Sequence, residues 1–319
     1  MRAWVLILAV VPWLASAQST QKALARRAEA ETLVKQLLAG QNMQQALSRL
    51  RYTGEESYAA KALLDHQDSA DPRRRRNVAV ALGALGAPRA EPALVGFVRD
   101  PDPVVRMSAA EGLGRLRTRN VQALRPLLAD ANMGVRAKAA WALGQSRNAK
   151  AEKPLLLAVR AEKEPEVRAA MLLALGHVGN GRTSSALERY LKSTSESTRV
   201  AAAQALCLLG APSGRAFARK LLSSKDRYER RQGLALFEGA SAKAARPVLE
   251  PLLNDPEPAL AAAAARILYQ GGDPKMRDWL VLASYRAPSR EKMAFEAELD
   301  LLHLTDEQRK GILKKAGLR

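Results

Sequence analysis

The amino-acid sequence predicts an all-α fold, an α-solenoid (superhelix) of stacked helical hairpins. A repeat of about 31 residues is marked by an arginine column whose successive spacings are 31, 30, 32, 31 and 31 residues. A second column, of leucines and one alanine, keeps the same register, so each repeat contains two structural elements. The first column comprises Arg75, Arg106, Arg136, Arg168, Arg199 and Arg230, with Ala261 in the seventh position, and the second comprises Leu94, Leu124, Leu155, Leu187, Ala218, Leu249 and Leu280.

Both elements of a repeat have the periodicity of helices. In residues 100–129, Val105, Ala109 and Leu113 recur at helical spacing in the first element, and Leu124 and Leu128 do so in the second. Proline near the start of the first element suits a helix N-terminus, where its missing N–H is not needed. A single hairpin cannot bury its own apolar face, so we expect the hairpins to stack.

The repeats resemble a known family. The segments DPDPVVRMSAAEGLG and DANMGVRAKAAWALG, which begin at Asp100 and Asp130, are similar to the short HEAT-like repeats found in phycobilin lyases and in deoxyhypusine hydroxylase. The resemblance covers roughly residues 71–284, and repeats of this family serve mostly as binding scaffolds. It implies the fold and no particular activity.

The repeat pattern divides the chain into four segments. In the last segment, Thr305 and Gln308 have the spacing of a capping box at the start of a helix. The predicted segments are 1–17 (signal peptide), 18–70 (N-terminal helical cap and degenerate first hairpin), 71–284 (seven HEAT-like repeats) and 285–319 (C-terminal capping helix pair).

The N-terminus has the three parts of a secretory signal peptide. Arg2 precedes an apolar run over residues 3–14, and Ala15-Ser16-Ala17 provides a small-x-small cleavage site. The apolar run is shorter than the ~20 residues that span a bilayer. We therefore expect cleavage before Gln18, a periplasmic or secreted location and no transmembrane span in the mature chain. An uncleaved membrane anchor is the alternative.

The charge of the chain is strongly unbalanced. It has 51 Lys and Arg against 32 Asp and Glu, a formal net charge of +19, and such a surface attracts polyanions. For an exported protein the expected partners are an acidic protein or an anionic envelope polymer or lipid. Nucleic acid would suit the charge but is disfavoured by export. The single cysteine, Cys207, excludes an internal disulfide and is interpreted as a buried small hydrophobe rather than a reactive thiol.

The arginine column is interpreted as a structural ladder. An acidic residue lies six positions before several of these arginines, and a guanidinium paired with a carboxylate in the same or the neighbouring repeat would fix the turn geometry. Anion binding is the alternative. The predicted ladder consists of Arg75, Arg106, Arg136, Arg168, Arg199 and Arg230 with Asp100, Asp130 and Asp255.

A second set of basic residues recurs just before the second helix of each repeat. A cation at a helix N-terminus opposes the macrodipole, so packing does not explain its recurrence there. Trp141 occupies a column that elsewhere accepts Glu, Gln and Arg, which suggests an exposed contact anchor. For the basic residues the alternative is a solvated edge. For Trp141 it is a surface aromatic that lies across a neighbouring repeat. The candidate partner-binding residues are Arg89, Arg119, Lys150, Arg182, Arg215, Arg246, Arg277 and Trp141.

No catalytic pattern accompanies the repeats. The three histidines, His66, His177 and His303, are dispersed, and the His-Glu pairs that hold iron in deoxyhypusine hydroxylase do not occur. Neither a phosphate-binding loop nor a Gly-x-Ser-x-Gly elbow is present. The sequence favours a non-enzymatic exported scaffold without a cofactor, ahead of a nucleic-acid-binding solenoid and, third, a lyase-type enzyme.

Export is directly testable. Mass spectrometry of the native protein should find an N-terminus at Gln18 in a periplasmic or secreted fraction, because the predicted signal peptide is removed there. An intact Met1 in the cytosol would contradict both the export and the envelope partner.

Overall fold

The computed structural model describes residues 3–318, and describes side chains for residues 19–318. The described chain consists of helices and contains no strand, which confirms the all-α solenoid. It forms two compact units, Met1–Ser146 and Arg147–Arg319. The side chains of the predicted signal peptide, 1–17, lie outside the described residues. Among the residues that are described, no helix is both long and apolar enough to cross a membrane.

The N-terminal unit begins with a long helix that packs on the first hairpins. Ala30, Val34 and Leu37 of this helix are buried, and the Asn77 side chain donates a hydrogen bond to the Leu38 carbonyl (3.1 Å). The helices of this unit are α1 (Ala3–Ala39), α2 (Met43–Thr53), α3 (Glu56–Leu64), α4 (Pro72–Leu85), α5 (Glu91–Phe97), α6 (Pro103–Arg115), α7 (Val121–Leu124) and α8 (Met133–Gln145).

The C-terminal unit continues the hairpins and ends in a divergent helix pair. The predicted capping box is confirmed, because the Gln308 amide donates to Thr305 Oγ1 (3.2 Å) and the Thr305 amide to Gln308 Oε1 (2.9 Å). The helices are α9 (Glu152–Ala161), α10 (Pro165–Val178), α11 (Gly181–Leu187), α12 (Glu196–Leu208), α13 (Pro212–Leu222), α14 (Arg227–Ala235), α15 (Ala242–Leu249), α16 (Pro258–Gln270), α17 (Lys275–Arg286), α18 (Ser289–Asp300) and α19 (Asp306–Lys315).

Local sequence explains where the helices begin and why some are short. Asp102 caps α6 by accepting a hydrogen bond from the Val104 amide (2.7 Å), and Pro103 follows at the first helical position. α7 lasts only four residues and continues as a 3-10 helix over Arg125–Ala129. Pro126 lacks the N–H that an α-helix would use at that point, so this second element is a mixed helix rather than a regular one.

The first helices of neighbouring repeats pack backbone against backbone. A Cβ added at Gly83 of α4 would lie 2.4 Å from the Gly112 Cα of α6, and one added at Gly176 of α10 would lie 2.8 Å from the Ala205 Cα of α12. Only small residues permit such an approach. The alanines and glycines in the middle of the first helices therefore set the distance between repeats.

The arginine column connects each repeat to the next one in the N-terminal unit. Arg75 donates from Nε to Asp100 Oδ2 (2.6 Å) and from Nη2 to Oδ1 (3.1 Å). Arg106 binds Asp130 through the same pair of atoms, at 2.7 and 2.9 Å. These are bidentate, charge-assisted pairs. The carboxylate comes from the following repeat, not from the acid six positions before the arginine.

The acid six positions earlier contributes its backbone carbonyl instead. Arg106 Nη1 donates to the carbonyls of Asp100 (2.8 Å) and Pro101 (3.0 Å). Asp100 thus binds two successive ladder arginines, Arg75 with its carboxylate and Arg106 with its carbonyl. The Asp102 amide also donates a hydrogen bond to the Asp100 carboxylate, at 2.9 Å.

The rest of the column shares parts of this arrangement. Arg136 Nη1 donates to the carbonyls of Asp130 (2.9 Å) and Ala131 (3.2 Å). In the C-terminal unit Arg230 Nη2 lies 2.8 Å from Asp255 Oδ1, while its buried Nε has no hydrogen-bond partner.

The ion pairs perturb the carboxylates. Hydrogen bonds from Arg106 hold the pKa of Asp130 below its ordinary value, against the opposing effect of burial. Burial alone would raise the pKa of Asp100, but the hydrogen bonds from Arg75 and from the Asp102 amide outweigh it and lower that pKa. Both carboxylates are therefore more stable in their charged form in the folded protein than in the unfolded chain.

Replacing Arg106 with Ala should lower the free energy of unfolding by about 1 to 3 kcal/mol, because it leaves the Asp130 carboxylate without its donors. Arg99, an exposed neighbour, provides the control, and Arg99→Ala should change stability by at most about 0.5 kcal/mol. Urea denaturation measures both. Equal effects of the two substitutions would contradict the ladder role.

The lowered carboxyl pKa values also predict an acid-sensitive ladder. A carboxylate with a lowered folded pKa adds stability that is present above its unfolded pKa of about 3.9 and is lost as the pH falls through the folded value. The urea concentration at the unfolding midpoint should therefore decrease once the pH is below about 4. In Asp130→Asn this decrease should be smaller, because one ladder carboxylate is absent. Parallel pH profiles for the two proteins would show that the pair does not contribute.

Candidate functional site

The turns between the two helices of a repeat carry exposed cations in the N-terminal unit. Arg89 lies in the 3-10 turn Pro88–Ala90, and Arg117 and Arg119 lie between α6 and α7; all three are exposed. Thr118 Oγ1 donates to Glu91 Oε1 (2.5 Å), which joins the two turns. We call Arg89, Arg117 and Arg119 the first turn cluster.

Arg117 has an unfavourable backbone conformation. Its φ is +50°, in the left-handed region, whereas the corresponding residue one repeat earlier is Gly86 with φ +70°. Residues with a Cβ are disfavoured in this region, and glycine is not. The protein therefore has an exposed arginine at a position where glycine would relieve strain.

The same arrangement recurs within the C-terminal unit. Arg147 has φ +46°, and Lys150 follows in the 3-10 turn Ala149–Ala151. Arg182 lies at the start of α11, which Asn180 and Thr183 tie to the preceding turn through hydrogen bonds to Glu152. Arg147, Lys150 and Arg182 are exposed, and we call them the second turn cluster.

The predicted basic residues of the later repeats have intramolecular partners. Arg215 is half-buried and donates to the Gly210 carbonyl (2.5 Å). Arg246 pairs with Asp273 and with Glu250. Arg277 lies 2.8 Å from Asp278. The three later residues of this column are thus internally bonded, whereas Arg89, Lys150 and Arg182 of the earlier repeats form no ion pair with the described residues. Their role in partner binding stays a prediction.

Trp141 lies on α8 and packs against α6 while keeping 37% of its surface exposed. A Cβ at Gly114 would approach the indole Cζ3 to 2.4 Å, so the glycine makes room for the ring. Lys138 Nζ lies 5.6 Å from the ring centroid and 2.9 Å from Glu111 Oε2. The indole is therefore held across the neighbouring repeat and also presents an edge to solvent.

Glu111 is the electrostatic centre of this region. Arg115 Nη2 lies 2.8 Å from Glu111 Oε1. Burial alone would raise the pKa of Glu111, but hydrogen bonds from Lys138 and Arg115 outweigh it and lower the pKa. We call Glu111, Arg115, Lys138 and Trp141 the Trp141 cluster. An aromatic edge beside fixed cations is suited to contact with an acidic or aromatic side chain.

Cys207 and His177 have side chains that could take part in catalysis; the first is buried and the second is half-buried. Cys207 is fully buried, and burial raises the pKa of its thiol to about 12, so it is protonated at neutral pH. Burial also lowers the pKa of His177. Within the described side chains, no group of three or more His, Cys, Asp or Glu residues could hold a metal ion.

Sequence reasoning missed Arg115, Arg117, Lys138 and Arg147. Arg117 and Arg147 could have been found by aligning the turns, because they occupy the place of Gly86 and Gly210. Lys138 gave no such signal, since its importance comes from its distances to Glu111 and Trp141.

The chain is similar to solved structures of other proteins. The chain is similar to the complex of CpcE and CpcF of phycocyanin lyase from Nostoc sp. PCC7120, at 21% identity and a TM-score of 0.54, over 76% of this chain and 94% of that chain. It also aligns with an engineered protein at 18% identity and a TM-score of 0.47, over 90% of this chain and 98% of the other. A search of curated proteins found no significant match.

The HEAT-repeat family profile matches four overlapping stretches, 60–143, 91–162, 121–207 and 152–237, which together cover more than half of the chain. The matches fall on the hairpins whose ladder and close-packed first helices are described above. The HEAT-like resemblance predicted from the repeat columns is thereby confirmed, and the chain belongs to the HEAT-repeat family.

Proposed function

We propose that this chain is a non-enzymatic, exported scaffold whose two turn clusters each bind acidic side chains of a protein partner. The observation that carries the proposal is the retention of exposed cations at the turns despite a conformational penalty. Arg117 and Arg147 adopt left-handed backbone where glycine stands in other repeats. Residues in sparsely populated backbone conformations cluster at functional sites.

The charge environment of the clusters supports the same proposal. Arg89, Lys150 and Arg182 form no ion pair with any residue that the structure describes. Their neighbouring acids, Glu91 and Glu152, accept hydrogen bonds from threonine hydroxyls instead. The cations are thus available to an external carboxylate, and opposite charges on two surfaces accelerate and orient their association.

A protein partner is favoured over a polymer by the Trp141 cluster. Tryptophan and arginine are the residues most enriched among binding hot spots between proteins. The similar CpcE and CpcF proteins were themselves solved as a complex, which supports a protein as the first class of partner to test. Export, proposed from the N-terminal sequence, places such a partner in the periplasm or outside the cell.

The experiment measures binding of the mature chain, Gln18–Arg319, to poly-L-glutamate and to duplex DNA at low and high salt. In the turn variant, Arg89, Arg117, Arg147 and Arg182 are all replaced by Gln. If each exposed pair contributes about 0.2 to 1 kcal/mol, the variant should bind poly-glutamate about fourfold more weakly or worse. Its salt dependence should also be flatter.

A matched variant removes four exposed cations elsewhere: Lys35, Arg74, Lys292 and Lys314. It should retain most of the affinity if the turns form the site. Equal weakening by both variants would show that only net charge matters. Tight binding of DNA with none of poly-glutamate would favour the nucleic-acid-binding alternative.

A further inference from the structure

Two rungs of the arginine ladder lack the acid that completes the others. Asp100, Asp130 and Asp255 lie 24 or 25 positions after Arg75, Arg106 and Arg230. The positions 25 residues after Arg168 and Arg199 are occupied by Ser193 and Ser224. A serine hydroxyl is shorter than a carboxylate and carries no charge, so these two arginines have no ladder carboxylate.

The serines preserve the turn that the acids make elsewhere. Ser193 Oγ accepts from the Ser195 amide (3.2 Å) and Ser224 Oγ from the Asp226 amide (3.0 Å). Asp100 Oδ1 accepts from the Asp102 amide in the same way (2.9 Å). The loop geometry is therefore retained, and what these rungs lose is the carboxylate itself.

The arginines are nevertheless held in ladder positions. Arg199 Nη1 donates to the carbonyls of Ser193 (2.8 Å) and Thr194 (2.9 Å), with the same atom that Arg106 uses for its carbonyls. Arg199 Nε and Nη2 make no hydrogen bond to the described residues. In Arg106 the same two atoms donate to the Asp130 carboxylate. This fork is pre-oriented for a planar, two-oxygen acceptor.

Arg168 is held with a different guanidinium orientation. Its Nη2 donates to the carbonyls of Glu162 (2.5 Å) and Lys163 (3.2 Å), which leaves Nε and Nη1 without an acceptor among the described residues. Both arginines are half-buried. A guanidinium in such a position interacts with a carboxylate more strongly than a fully solvated one does.

Nearby acids do not substitute for the missing carboxylates. Asp226, the closest acid in the loop that follows Ser224, accepts a hydrogen bond from the Tyr228 amide (2.7 Å). Arg168 and Arg199 form no ion pair within the described chain, whereas Arg230, the next ladder arginine, pairs with Asp255. Two consecutive arginines on the packed helices α10 and α12 thus have N–H donors without an acceptor among the described residues, as a side-on fork of Nε and Nη2 in Arg199 and as two separate donors, Nε and Nη1, in Arg168.

We propose that Arg168 and Arg199 bind two carboxylates of an acidic segment of the protein partner, in the role that aspartates of the chain play in the other rungs. This inference rests on the proposed protein-binding function and specifies its chemistry. Helices of neighbouring repeats are about 8 to 10 Å apart, which matches acidic residues three positions apart in a polyproline II segment, where three residues make one turn of about 9 Å and lie on the same side.

The test places the missing acids in the chain. Ser193→Asp/Ser224→Asp should complete both rungs, raise the thermal unfolding midpoint by about 2 to 4 °C or more and weaken poly-L-glutamate binding at least about tenfold, because the internal carboxylates occupy the arginines.

Ser193→Asn/Ser224→Asn has nearly the same shape without the charge. It should bind poly-glutamate within about twofold of the original chain and gain no such stability. Lys292→Gln/Lys314→Gln changes net charge by the same amount elsewhere and should weaken binding less.

The outcomes separate this inference from the proposed function. An Asp variant no more stable than the Asn variant, or one that still binds poly-glutamate as tightly as the original chain, would overturn the role of Arg168 and Arg199. If the turn variant loses binding in that case, the proposed function stands without this inference. Failure of the original chain to bind poly-glutamate at low salt would overturn both.

Discussion

The double use of one aspartate by two arginines is the interaction on which the stacking depends. Asp100 receives Arg75 on its carboxylate and Arg106 on its carbonyl, so a single residue fixes both the entry to its own first helix and the position of the preceding repeat. Local and long-range order are then formed by the same contacts. In a repeat protein, where each unit touches only its neighbours, this coupling makes the units fold together.

The close contact of the first helices supports this arrangement. Gly83 and Gly112 bring two backbones within van der Waals distance, and an added methyl group there would displace the helix and move the arginine away from its acid. The ladder and the small-residue seam therefore constrain the same distance from two sides. The turn clusters lie beyond this constrained region, so their side chains are less restricted by stacking.

The basic side chains behind the net charge of +19 are of two kinds. Arg246, Arg266 and Arg309 are each bound by two carboxylates, and they contribute to internal structure. Arg89, Lys150 and Arg182 have no such partner among the described residues. A net charge computed over the chain conceals this division, since only the second kind of cation has no carboxylate partner among the described residues.

The repeat period was sufficient to predict the fold and the hairpin, and the spacing of Thr305 and Gln308 was sufficient to predict the capping box. Sequence reasoning named Asp100, Asp130 and Asp255 as ladder acids but left open whether each pairs within its own repeat or with the neighbouring one, because spacing along the chain does not tell whether a side chain or a carbonyl faces the arginine. The strain at Arg117 depends on its backbone angles. That Arg246 is paired, unlike the exposed cations, depends on its contact with the distant residue Asp273. Neither is encoded in a short pattern.

The ladder is directional, and this has a consequence for how the array could grow. Where the rungs are complete, as at Asp100 and Asp130, a repeat brings an acid for the arginine before it and an arginine for the acid after it, so a duplicate of such a repeat would fit beside the original without any compensating substitution. The seventh position of the column is Ala261, and the residue 25 positions later is Arg286 rather than an acid. The last repeat thus has no guanidinium that needs a successor, and lengthening by duplication is compatible with the interior of the array but not with its C-terminal end.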